Sequence, residues 1–118
     1  MKSIMVTSMI VLFFTANVMA AGSSTQSPAL SKDVKLYNKG VTLMLAKKFA
    51  KAEKQFRKSL SINDQFAEAH NNLAYTLRKQ GSKNYAEALE HYNKAIELDP
   101  GLPEPYMYRG VLHVQMGN

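Results

Sequence analysis

The sequence predicts an all-α fold, a stack of helix-turn-helix units. Three observations lead there. A pattern of apolar and small residues returns every 34 to 36 positions. Within each copy the apolar residues recur at helical spacing. Turn-forming residues break each copy at its middle and at its end. A period of this length marks a repeat array, in which each unit buries its apolar side against its neighbours.

The 118 residues are enough for one small domain. A formal charge of +6 and a hydrophobic fraction of 46% fit a folded soluble protein, not a disordered one. There is no cysteine. That excludes disulfides, zinc–thiolate sites and a cysteine nucleophile, and it excludes a lipoprotein anchor after the first apolar run.

Residues 1–20 read as a secretory signal peptide. Lys2 supplies a positive start, an apolar run follows from Ile4 to Phe14, and Val18-Met19-Ala20-Ala21 offers small residues for cleavage. The cut is expected after Ala20, with Ala21 as a close alternative. The run is about a dozen residues, against roughly 20 for a comfortable bilayer span. The expected location is therefore periplasmic or secreted; an uncleaved inner-membrane anchor is the alternative. Residues 21–31 read as a linker, with a Gly/Ser/Thr/Gln stretch before Pro28.

Residues 32–118 carry the repeats. In the first unit, about 33–66, Leu36, Lys39, Gly40 and Leu43 are followed by Ala52, Phe56 and Asp64. In the second, about 67–102, His70, Leu73, Ala74 and Leu77 are followed by Ala88, Tyr92 and Pro100. Tyr106, Arg109, Gly110 and His113 begin the pattern a third time, over about 103–118. Glycine or alanine at 40, 52, 74, 88 and 110 lets two helices of a hairpin cross closely, and Phe56 and Tyr92 fill the gap to the next unit. Asn84 and Glu87 have the spacing of a helix-start cap. Asp99-Pro100-Gly101 ends a helix, and Pro103 suits the first turn of the next. The last helix admits two readings. Arg109 and His113 suit a capping helix, whereas Gly110 suits the start of a third pair.

These residues resemble the tetratricopeptide repeat (TPR). The run from Ala88 through Tyr92, Ala95, Ile96, Leu98, Asp99 and Pro100 is among the more specific parts of that pattern. The likeness covers Asp33 to Asn118. It departs at Asn63-Asp64, where Asp-Pro is usual, and by about two extra residues in the inner turn of unit two. The resemblance implies a right-handed superhelical stack, with two full repeats plus one additional C-terminal helix, and a concave groove lined by the first helix of each unit. By the same alignment the groove should present Val34, Tyr37, Val41, Met44 and Leu45, then Asn71, Asn72, Tyr75, Arg78 and Lys79, then Met107, Val111 and Val114. Family members that clamp a carboxylate tail use Lys, Asn, Asn, Lys and Arg. The aligned residues here are Tyr37, Val41, Asn72, Glu104 and Tyr108, so only Asn72 matches and that clamp is not expected.

Nothing in the sequence motivates catalysis or a cofactor. No serine sits in a nucleophile elbow and no glycine-rich loop resembles a phosphate cradle. His70, His91 and His113 form no pair at metal-ligand helical spacing, so no metal is expected. Packing is expected for His70 and His113, and exposure for His91. Residues 31–60 carry nine basic and two acidic residues, against five and seven in residues 61–118. The row Lys47, Lys48, Lys51, Lys54, Arg57 and Lys58 suggests a solvated face that could meet an acidic protein or an anionic membrane surface. Nucleic acid is not an expected partner of an exported chain. The sequence thus predicts a non-enzymatic, exported adaptor that binds a peptide or protein in its groove. The alternative is a structural or assembly subunit of an envelope complex, docked through the basic face or the open C-terminal end.

Overall fold

The computed structural model describes residues 27–118. The signal-peptide reading lies outside the described residues. Five α-helices follow an irregular, exposed lead: α1 (Lys32–Leu45), α2 (Phe49–Ile62), α3 (Ala67–Lys79), α4 (Tyr85–Leu98) and α5 (Glu104–Gln115). A short 3₁₀ turn, Ser82–Asn84, precedes α4. Helices α1 and α2 form one hairpin and α3 and α4 a second; α2 packs on α3, and α4 on α5. Helix α3 also touches α1 on one side and α5 on the other. The first helices therefore line one side of the stack, and α2 and α4 the other.

Helix α3 is the most enclosed, because neighbours cover it on several sides. Ala69, Leu73, Ala74, Thr76 and Leu77 are all buried there. The core joins them to Ala52, Phe56, Ala88, Tyr92 and Leu112. Phe56 and Tyr92 are fully buried, which contributes roughly 2–3 kcal/mol each. The small residues do what the repeat pattern requires. A Cβ added at Gly40 would lie 2.6 Å from Phe56 Cε1, so only glycine admits the ring. At the equivalent Gly110 a Cβ would meet nothing within 4 Å. That side of α5 carries no second helix among the described residues.

The connections are held by specific bonds. Lys47 closes α1 with a left-handed φ of 59°. Its N–H reaches Met44 O at 2.9 Å, and the Lys48 N–H reaches Leu43 O at 2.9 Å. The end of α2 is tied to the start of α1: Ser59 Oγ donates to Asp33 O at 2.8 Å, and Asn63 Nδ2 donates to Asp33 Oδ2 at 3.0 Å. Helix α4 ends at Leu98, where Asp99 Oδ1 accepts the Gly101 N–H at 3.1 Å.

Two local expectations are corrected. Asn84 precedes α4 but makes no side-chain cap bond. Glu87 does not reach back to it, because both its oxygens accept from Arg57, at 2.7 and 2.8 Å. Pro103 stands just before α5, and Pro105 occupies the first turn.

Arg57 also donates to Glu53 at 2.9 Å, and Glu53 accepts from Gln80 Nε2 at 2.9 Å. This cluster links α2, α4 and the end of α3. Arg57 is thereby paired, unlike the exposed Lys51, Lys54 and Lys58 beside it on α2.

Candidate functional site

A cavity of about 350 Å³ opens where the end of α1, the start of α2, α3 and α5 meet. Met44, Leu45, Lys47, Phe49, Asn72, Tyr75, Lys79 and Tyr108 line it. The turn after α1 brings in Lys47, and α2 begins with Phe49. Asn72, Tyr75 and Lys79 lie three and four apart, and so share one stripe of α3. The aromatic rings meet edge to face: Phe49 and Tyr75 are 6.1 Å apart between centroids, and Tyr75 and Tyr108 are 5.1 Å apart. Lys79 Nζ stands 5.9 Å from the centroids of both Phe49 and Tyr75. The cavity therefore offers an apolar, aromatic wall, one amide and two ammonium groups. Such a surface accepts a bulky apolar side chain next to a carboxylate.

Of the thirteen groove residues expected from sequence, Met44, Leu45, Asn72, Tyr75 and Lys79 line this cavity. Tyr37 and Val41 are half-buried and pack against the core. The Tyr37 ring lies 4.7 Å from that of Phe66 and 5.8 Å from that of Phe56. Its hydroxyl accepts from Asn72 Nδ2 at 3.2 Å, and burial pushes its pKa up. Asn71 and Arg78 are buried, and Arg78 lies against α5. They lie seven apart, on the stripe of α3 beside the cavity stripe. Arg78 stacks over Tyr75 at 5.2 Å and Tyr108 at 5.9 Å and donates to Gln115 Oε1 at 3.2 Å. Its Nε, Asn71 Oδ1 and the Tyr92 hydroxyl are buried with no partner among the described residues. Burial raises the Tyr92 pKa to about 12. Met107 and Val111 are exposed on α5, outside the cavity.

Lys47, Phe49 and Tyr108 were missed as groove residues. Tyr108 was legible: it follows Asn72 by 36 residues, as Met107 follows Asn71. Lys47 and Phe49 gave no signal, because they belong to the turn and the second helix.

His91 is not exposed, contrary to the sequence expectation. It is half-buried and stacked on His70, with ring centroids 5.2 Å apart. Burial, with His70 beside it, lowers its pKa to about 4. Among the described residues no three or more His, Cys, Asp or Glu side chains gather at one metal-sized point. No described helix is long and apolar enough to cross a membrane.

Three profiles of one family match the chain: a TPR repeat over residues 82–117, and tetratricopeptide repeats over 56–90 and 36–66. Together they run without a gap from residue 36 to residue 117. The chain belongs to the tetratricopeptide-repeat family. It is 29% identical over 79 residues to anaphase-promoting complex subunit cut9 of Schizosaccharomyces pombe, which covers 67% of this TPR chain. It is 37% identical over 67 residues to human tetratricopeptide repeat protein 6, which covers 57% of it. The chain spans only 12% of the length of either relative. Among solved structures, it resembles the first TPR of Spaghetti (RPAP3) bound to the HSP90 peptide SRMEEVD. The TM-score is 0.68 at 20% identity, over 73% of this chain and 67% of that one. It resembles the CopN–Scc3 complex with a TM-score of 0.67 at 23% identity, over 75% and 52%. Both likenesses are of fold: a TPR stack of helices.

Proposed function

We propose that this chain is an exported, non-enzymatic TPR adaptor that binds a peptide segment of a partner protein across α1, α3 and α5. The cavity between Met44, Phe49, Tyr75 and Tyr108, rimmed by Lys47 and Lys79, is the observation that carries the reading. A bulky apolar anchor would bury against the rings, and the two ammonium groups would favour a neighbouring carboxylate. The structural neighbour solved with an acid-rich peptide is consistent with this use of the fold. The test is capture of partners from a periplasmic extract by the mature chain, compared with Tyr75→Ala and Lys79→Ala. Both variants should lose capture while keeping the helical circular dichroism of the parent. Capture that survives in both folded variants would overturn groove recognition. Export is tested by cell fractionation and the mass of the recovered chain, which should lack residues 1–20.

The second reading, an assembly subunit docked through its C-terminal end, is favoured by one observation. Helix α5 exposes Tyr106, Met107, Val111 and Val114 on a side that no described helix covers. Introducing a charge on this face, as in Met107→Glu with Val111→Glu, should abolish association under this reading and spare it under the first.

A further inference from the structure

His70 on α3 and His91 on α4 meet across the second hairpin, with their Nδ1 atoms 3.0 Å apart. The outer nitrogens are also oriented. His70 Nε2 lies 2.8 Å from Asp64 O. A carbonyl oxygen only accepts, so His70 carries a proton on Nε2, and in the neutral ring its Nδ1 is a bare lone pair. His91 must then donate its Nδ1–H to it. His91 Nε2 faces Glu87 Oε2 at 3.9 Å.

We propose that His70 and His91 form a two-imidazole chelate for a divalent copper- or nickel-class cation, with solvent completing the coordination sphere. Metal–imidazole bonds of about 2.05 Å with nitrogens 3.0 Å apart give an N–metal–N angle of roughly 94°. That is the cis angle of a tetragonal site, which suits Cu(II) and Ni(II). A tetrahedral zinc ion needs its nitrogens roughly 3.3 Å apart, so zinc fits less well. To meet an ion at that angle, each Nδ1 lone pair turns about 43° away from the Nδ1–Nδ1 line.

The supports that metal-bound histidines need are already in place. A backbone carbonyl holds the far N–H of His70, and a carboxylate waits beside the far nitrogen of His91. On binding, the His91 proton leaves Nδ1 and solvent returns one to Nε2, where it faces Glu87. No net proton is released. The Glu87 carboxylate, itself paired with Arg57, is the negative group that faces His91. His91 keeps 22% of its side chain exposed, which gives the ion a route in.

The site joins two helices, so metal should bind the folded chain and raise its melting temperature. The mature chain, stripped of metal, is melted with and without excess Cu(II), Ni(II) or Zn(II). Its Cu(II) complex is examined by electron paramagnetic resonance. Copper should raise Tm by about 5 °C or more, and the spectrum should show two nitrogen ligands. His91→Asn keeps a donor for His70 but is a poor copper ligand, and His70→Ala removes the other nitrogen. Both should lose the shift and the two-nitrogen spectrum, whereas His113→Ala should retain them. The proposal fails if copper leaves Tm unchanged, if either variant keeps the wild-type spectrum, or if zinc stabilises more than copper.

Discussion

Lys47 and Gly117 occupy the same position in two copies of the repeat. Each has a left-handed φ, 59° and 81°, and each closes its helix with the same pair of backbone bonds. Lys47 and Lys48 reach Met44 O and Leu43 O; Gly117 and Asn118 reach Val114 O and His113 O. Glycine adopts this conformation without strain, and lysine does so at a cost of about 1 kcal/mol. Lys47 is also the residue of the pair that lines the cavity. Strain retained beside a candidate site is a pointer to use. Lys47→Gly should therefore stabilise the chain by about 1 kcal/mol in urea unfolding, and weaken partner capture. A variant that is less stable than the parent would contradict the strain argument.

Gly40 and Gly110 are equivalent in sequence and opposite in packing. Gly40→Ala would drive a methyl group into the buried ring of Phe56, and should cost about 1–2 kcal/mol despite the better helix propensity of alanine. Gly110→Ala meets open space and should gain about 0.5–1 kcal/mol. Thermal melts of the two variants check the contrast. Equal signs would mean that the two faces are alike.

Arg78 acts as a strut between α3 and α5. Arg78→Ala removes its bond to Gln115 and its stacking on Tyr75 and Tyr108, and should cost about 1–3 kcal/mol. Hydrogen exchange should rise first in α5. Partner capture per folded molecule should change less than in Tyr75→Ala. The reverse order would return Arg78 to the groove.

Glu53 sets an acid limb in the stability profile. Burial alone would raise its pKa, but the hydrogen bonds from Arg57 and Gln80 outweigh that and hold it below the ordinary 4.5. A carboxylate lowered on folding stabilises above its unfolded pKa and loses that contribution as pH falls through its folded one. Wild type should exceed Glu53→Gln by about 1 kcal/mol at pH 7, with the gap shrinking as pH falls below the ordinary carboxylate value. A gap that does not shrink with falling pH would show that the carboxylate charge is not its source.

The helices, their pairing and much of the core were legible because they follow from local periodicity. Ala52, Phe56, Leu73, Leu77, Ala88 and Tyr92 repeat at helical spacing, and all are buried. The site was legible only in part. Asn71 and Asn72 are adjacent and equally polar, yet one is buried and the other lines the cavity. A rotation of about 100° along one helix separates them, and the packing of neighbouring helices decides which is covered.

The chain by itself determined that amphipathic helices would form in repeating pairs, and where small residues would let them cross. Those properties depend on neighbours three or four positions apart. Only the tertiary structure decided that Lys47 joins Lys79 at one opening, that Glu87 turns to Arg57 rather than to its own helix start, and that two histidines 21 residues apart come within 3.0 Å. Each of these depends on how separate helices rotate and slide against one another. The summed packing of the stack fixes that rotation, and no short stretch of sequence encodes it.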